Sequence, residues 1–342
     1  MGKKDGLYYY KEASESELLL LFAEAAKVLP AIPAAGYAAK KASSKSPSRF
    51  LNVLLSDLHY GSDLKKRTHL LAYGAVEEAR RTAAVVRNAV EYKTDKRDKT
   101  SLVLRINGDL IEGMLGHDDR AAAPLTMQMC RAEWILSQVV STLAANFPSV
   151  TVLVEWGNHG RNTLRHAGRA DNDKYESFEL IIMNTVRARC RALKNVKWHI
   201  PYRAWIVDQQ FNWKILQTHG DTILNKSPQN SGFDSNVAKL NSSRRYPGPF
   251  DIVVLGHWHV PISRLTENAH VFVNGALIPP NGYAESAGYL NECAQWLWET
   301  TERYPVGDQR LVRVGHEEDA DESLDSIITP WSEDLVFSEI AA

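Results

Sequence analysis

Eight residues that could do chemistry come directly after short apolar runs in this chain: Asp57, His59, Asp109, Asn158, His159, His219, His257 and His259. The runs are 50–55, 102–106, 150–155, 213–217 and 252–255. They lead in turn into Ser56-Asp57-Leu58-His59, Asn107-Gly108-Asp109, Trp156-Gly157-Asn158-His159, Thr218-His219-Gly220-Asp221 and Gly256-His257-Trp258-His259. Open α/β sheets hold ligands at the carboxyl ends of their strands, so five such ends can converge on one crevice. The donors arriving there are carboxylate, imidazole and amide without thiolate, a set that suits divalent cations. Two divalent cations against the carboxylates Asp57 and Asp109 leave positive charge, which attracts a phosphate anion. A metal pair about 3.5–4 Å apart can clamp both the attacking and the leaving oxygens of an in-line displacement.

Other uses of these residues are open at this point. A Gly-Asp pair or a lone histidine is common, and His59, His219, His257 and His259 are each compatible with a satisfied core or surface role. Asp109 is compatible with a turn and His159 with a structural role. What separates the metal reading is the joint occurrence of five motifs, each after an apolar run. His117 and His166, in the loops after two of the motifs, are solvated loop residues or substrate contacts. Asp221 orients a ligand or a turn rather than binding metal. His69, His199, His270 and His316 show no informative spacing. No G-x-x-x-x-G-K-[ST] loop is present and no G-x-G-x-x-G follows a strand. The segment Ala284-Glu285-Ser286-Ala287-Gly288 lacks the first glycine and the strand of a nucleophile elbow.

The ordered set D-x-H, G-D, G-N-H, H and G-H-x-H between Asp57 and His259 resembles the calcineurin-like metallophosphoesterase superfamily. That resemblance implies an α/β sandwich of two mixed β-sheets flanked by helices, and a phosphoesterase working with two divalent metal ions. It implies that Asp57, His59 and His259 bind one metal and Asn158, His219 and His257 the other, with Asp109 bridging. His159 would be the catalytic residue, not a ligand, and would stabilise transition-state charge or protonate the leaving oxygen. Manganese is the expected metal, with iron, zinc or magnesium as alternatives, since the set lacks thiolate and is not all oxygen. One departure stands out. Many relatives place an acidic residue after Gly-Asn-His, whereas Gly160-Arg161 stands here and places a cation near the substrate.

Helix-like stretches at 75–91, 125–146, 173–193 and 235–243 alternate with the apolar runs, to which 271–273 adds a sixth, as an α/β domain requires. The expected organisation is an N-terminal helical appendage and linker at 1–47, a catalytic domain at 48–315 and an acidic C-terminal tail at 316–342. Ser14-Glu15-Ser16-Glu17 is a capping-box pattern before the leucine run at 18–21, and Pro30 ends the helix it starts. That helix is expected to dock on the main domain or on a second subunit, giving a homodimer, or to be a separate binding module. The three cysteines are far apart and outside any C-x-x-C pair, which argues against a disulfide framework or a structural zinc site and suits a reducing cytoplasm. No apolar run approaches the roughly 20 residues of a membrane helix, so no membrane partner is expected.

The 40 basic and 41 acidic side chains nearly cancel, so no global positive field announces nucleic acid. Three local clusters point to it nonetheless. Arg161, Arg165 and Arg169 recur every four residues past Gly-Asn-His; Arg187, Arg189, Arg191 and Lys194 end a helical stretch; Arg244-Arg245-Tyr246 precede the last motif. Such groups bind phosphates and stack bases. Solvated helix faces or carboxylate partners are the other reading. The leading expectation is a nuclease for phosphodiester bonds of nucleic acid, akin to the DNA-repair exonuclease branch, with Arg161, Arg165 and Arg169 binding substrate. A phosphomonoesterase on a protein or small molecule is second. A non-catalytic binding module is the third, and an intact ligand set argues against it.

Overall fold

The computed structural model describes residues 2–4, 7–9, 47–64, 72–92, 99–114, 122–162, 176–280, 291–315 and 322–332. The N-terminal helix expected in 1–47 lies outside them, where only the hairpin strands β1 (Gly2–Lys4) and β2 (Leu7–Tyr9) are described.

Four parallel strands make one side of a six-stranded sheet: β3 (Arg49–Leu55), β4 (Thr100–Asn107), β5 (Val150–Glu155) and, at the edge, β6 (Val196–His199). The helices α1 (Ala75–Val90), α2 (Leu125–Asn146) and α3 (Phe178–Arg189) connect them in turn. A second sheet is built from β7 (Ile206–Gln210), β8 (Trp213–Gln217), β9 (Ile252–Leu255), β10 (Ile262–Leu265) and β11 (His270–Val273), in the order β10-β11-β9-β8-β7. Helix α4 (Phe233–Ser242) links β8 to β9. The chain then returns to the first sheet, where β12 (Ala294–Thr301) pairs antiparallel with β3 and β13 (Gln309–Arg313) with β12. Both sheets are mixed and helices flank the pair, the architecture expected from the resemblance.

Alternation along β3 shows how the layers form. Leu51, Val53 and Leu55 pack in the core shared with the three helices, whereas Leu54 packs with Ile215, Ile252, Val254, Phe272 and Trp298 between the sheets. Successive strand side chains face opposite ways, so one strand serves two cores. The outer face of the second sheet is closed by Phe233, Val237 and Leu240 of α4. A polar cluster also lies between the sheets. Buried Arg105 donates to Asn52 at 3.0 Å and Asp208 at 2.7 Å and lies over the Trp298 ring. Burying that charge is tolerable only because these partners satisfy it.

The acidic run 317–321 lies outside the described residues. Beyond it a 3-10 turn, Glu322–Ser326, packs on α1, with Leu324 and Ile328 buried in the main core. Arg80 of α1 holds Asp325 at 3.0 Å. This part of the expected tail is therefore anchored on the main domain. No described helix is long and apolar enough to cross a membrane.

Candidate metal centre

Strands β3, β4, β5, β8 and β9 end on the same edge of the sandwich, and all eight singled-out side chains lie there. Their turns are unusual. Of the seven non-glycine residues with positive φ among those described, five are Asp57, His59, Asp109, His257 and His259. L-residues adopt this conformation at a cost, and it concentrates at functional sites. The turns also crowd one another. A Cβ on Gly108, whose φ is +83°, would stand 2.6 Å from the Gly157 Cα, so two turns meet where no side chain fits.

Two clusters form from these ends. Asp57, His59 and His259 bring their donor atoms within 4.8 Å of one another, and so do Asp109, His219 and His257. Asn158 joins the second, its Oδ1 3.2 Å from His219 Nε2. The aspartates also tie the strand ends together. Asp57 Oδ1 accepts the His257 amide, and Asp109 Oδ1 accepts the His159 amide, each at 2.8 Å.

The hydrogen bonds decide which nitrogens are bare. His219 Nδ1 lies 2.8 Å from the Asn107 carbonyl, which can only accept, so Nδ1 carries a proton. In the neutral ring Nε2 is then a lone pair facing Asp109 Oδ2 at 3.1 Å and Asn158 Oδ1 at 3.2 Å. Three acceptors turned on one another repel unless a cation or proton stands among them. Burial disfavours a charged His219, yet Asp109 beside it, with Asp57 and Asp221, pushes its pKa up to about 10. In the other cluster His59 Nδ1 donates to the Glu112 carboxylate at 2.9 Å, which leaves Nε2 facing His259 Nε2 at 3.2 Å. Burial, with His159 nearby, lowers the His59 pKa to about 4, and burial and His219 lower that of His257 to about 4. These rings are neutral, and His59 Nε2 is left as a lone pair. Burial opposes ionisation of Asp57 and Asp109, but surrounding histidines hold both below the ordinary aspartate value. Donor chemistry and orientation thus fit divalent cations, with Asp57, His59 and His259 on one side and Asp109, Asn158, His219 and His257 on the other.

His159 stands beside these clusters. Its ring is 4.5 Å from that of His59, its Nδ1 is 2.9 Å from the Glu112 carbonyl, and its side chain keeps 16% exposure. Arg161 Nη2 donates to Asp221 Oδ2 at 2.8 Å, so this cation is already paired at the edge of the site. Arg165, Arg169, His117 and His166 lie outside the described residues. The helix-end cluster behaves otherwise: Arg189 pairs with Glu133 at 2.8 Å and lies over Trp134, binding α3 to α2.

Sequence reasoning missed the supporting residues. Glu112 orients His59 through its side chain and His159 through its backbone. Glu179, whose pKa burial and Asp109 raise to about 7, accepts the amides of Leu110 and Gly157. Ser56 Oγ donates to Asp57 Oδ2 at 2.5 Å and accepts from Asn274, which Gln295 accepts in turn. The only sequence signal was for Glu112, a carboxylate three residues past Gly108-Asp109.

No protein family and no curated protein matches the chain. Among solved structures it is similar to a phosphoesterase, YfcE, from E. coli (14% identity, 77% of this chain and 99% of that one, TM-score 0.34). It is also similar to an archaeal phosphodiesterase (12% identity, 77% and 99%, TM-score 0.34). Vacuolar protein sorting 29 from Cryptosporidium parvum is a third (14% identity, 74% and 86%, TM-score 0.34). Similarity at this level assigns neither substrate nor residue roles.

Proposed function

We propose that the protein is a metal-dependent phosphoesterase acting on phosphodiester bonds of nucleic acid. The observation that carries the hydrolytic part is the pair of acceptor clusters, backed from behind and opening beside a partly exposed histidine. Divalent cations held there would polarise phosphate oxygens and lower the pKa of water. Glu112 and the Asn107 carbonyl keep Nδ1 of His59 and His219 protonated, so that each Nε2 is presented as a ligand. The Glu112 carbonyl likewise holds the Nδ1 proton of His159 and orients the ring, whose imidazolium form would give its Nε2 proton to the leaving oxygen. Arg161 belongs to the same reading as a phosphate contact, one that must share its guanidinium with Asp221. Arg165 and Arg169 are proposed to extend it along a strand.

The test is hydrolysis of bis-p-nitrophenyl phosphate, p-nitrophenyl phosphate and labelled single-stranded DNA, each with manganese, magnesium or zinc. Cleavage of the diester and of DNA, strongest with manganese and lost in excess chelator, is expected. Full activity after prolonged chelation refutes the metal assignment, and cleavage of the monoester alone moves the reading to a phosphomonoesterase.

A further inference from the structure

We infer that the surface from loop 201–205 to segment 244–246 is a track for a single-stranded nucleic acid leaving the metal centre. This rests on the phosphoesterase reading for its direction, and on its own residues for its chemistry.

The loop is fastened to the neighbours of two candidate ligands. Trp156, two residues before Asn158, donates its indole N–H to the Pro201 carbonyl at 3.2 Å. Thr218, next to His219, donates its hydroxyl to the Ala204 carbonyl at 3.0 Å. On this loop Tyr202 is 55% exposed, and exposed Arg203 lies 5.3 Å from the Trp205 ring centre. Trp205 meets Tyr246 edge to face at 5.6 Å, which joins the loop to exposed Arg244 and Arg245 just past the end of α4. The surface therefore combines cationic groups with one exposed and two half-buried rings, the latter packed on the core of the second sheet.

Its charge is not neutralised as elsewhere. Arg161 and Arg189 have carboxylate partners, but among the described residues none lies within ion-pair distance of Arg203, Arg244 or Arg245. The acids bordering these segments are engaged: Asp208 holds Arg105, and Asp251 accepts the Lys214 amide. Guanidinium groups alone would suit any polyanion. The exposed Tyr202 ring, with half-buried Trp205 and Tyr246 near it, selects one whose flat faces are accessible, which unpaired bases provide and a stacked duplex hides.

Binding is measured by fluorescence anisotropy on the full-length protein in excess chelator, which separates it from cleavage. The probes are labelled oligothymidylate and an abasic phosphodiester oligomer of equal length. Tyr202→Ala should weaken oligothymidylate about 10-fold and leave the abasic oligomer unchanged, since stacking contributes about 1–3 kcal/mol per base. The double variant Arg203→Ala/Arg245→Ala should weaken both and flatten the log–log salt slope by about 1.4, at roughly 0.7 per phosphate. Manganese-dependent hydrolysis of bis-p-nitrophenyl phosphate should be unchanged in all variants. Wild-type affinity in every variant overturns the track, as does equal displacement by polyglutamate, which marks a general anion surface. Diester hydrolysis without oligonucleotide binding refutes the track and leaves the phosphoesterase reading intact. Binding through these residues without hydrolysis of any ester does the reverse.

Discussion

The two halves of the candidate centre use the same kinds of ligand and hold them by different means. In the Asp57–His59–His259 half the support comes from side chains, since Glu112 fixes His59 and Ser56, Asn274 and Gln295 surround Asp57. In the Asp109–Asn158–His219–His257 half a backbone group, the Asn107 carbonyl, fixes His219, and the Glu179 carboxylate grips two turn amides. Electrostatics differ too, with His59 pushed down to about 4 and His219 up to about 10. Burial disfavours the charged form of both rings; at His59 the neighbouring His159 adds to it against the pull of Glu112, whereas at His219 Asp109, with Asp57 and Asp221, outweighs it. A ligand fixed by a side chain, as His59 is by Glu112, can be loosened by one substitution, whereas His219, fixed by the Asn107 carbonyl, resists it.

The largest effect should come from the residue proposed to serve both halves. Asp109→Asn is expected to lose bound metal and more activity than the roughly 10–100-fold that accompanies loss of an outer partner. Metal content and diester hydrolysis measure this, and a variant with both metals and a wild-type rate would remove Asp109 as the bridge. Next is His159→Ala, expected to keep two metals while turnover falls about 10²–10⁴-fold, the scale of a lost general acid. Reduced metal occupancy would make it a ligand instead.

Glu112→Gln sharpens the comparison directly. It should weaken manganese binding to one half about 10–100-fold and leave the other unchanged, seen as one shifted step in a calorimetric titration. Equal weakening of both steps would mean that the halves are not independently supported.

The smallest effect concerns a carboxylate behind the first half. Glu78 accepts the Gly61 amide and Arg131 through Oε1, while its buried Oε2 has no partner among the described residues. Burial raises its pKa from 4.5 to about 7. A raised folded-state value means that the stability it contributes is present below about pH 4.5 and lost as pH rises through about 7. Glu78→Gln should therefore melt near wild type at pH 5 and above it at pH 8, by an amount on the order of 3 kcal/mol or less. Glu179→Gln should not share this gain, because both Glu179 oxygens accept backbone amides and a Gln nitrogen would oppose one of them. Melting curves at the two pH values distinguish the two carboxylates.

Much of this frame was legible in the residue order. The runs at 150–155, 213–217 and 252–255 coincide with β5, β8 and β9, and the stretch at 125–146 coincides with α2. β9, buried along its whole length, shows as an uninterrupted apolar run. The strands that escaped notice carry other patterns. β6 alternates half-buried and exposed residues, and β12 buries Gln295 and Glu299 among its tryptophans. The place of β12 beside β3 is a pairing of Leu297 with Val53 that no local pattern announces.

By itself the sequence determined the types of donor and their position at strand ends, because side-chain chemistry and strand periodicity are local properties. Only the tertiary structure decided which nitrogen of each imidazole is bare, since that depends on Glu112 reaching His59 across 53 positions. It also decided that Arg161 meets Asp221, 60 positions away, while Arg203 and Arg245 meet no described carboxylate. Charge pairing depends on distance through space, and distance through space is set when distant strands pair and their turns pack.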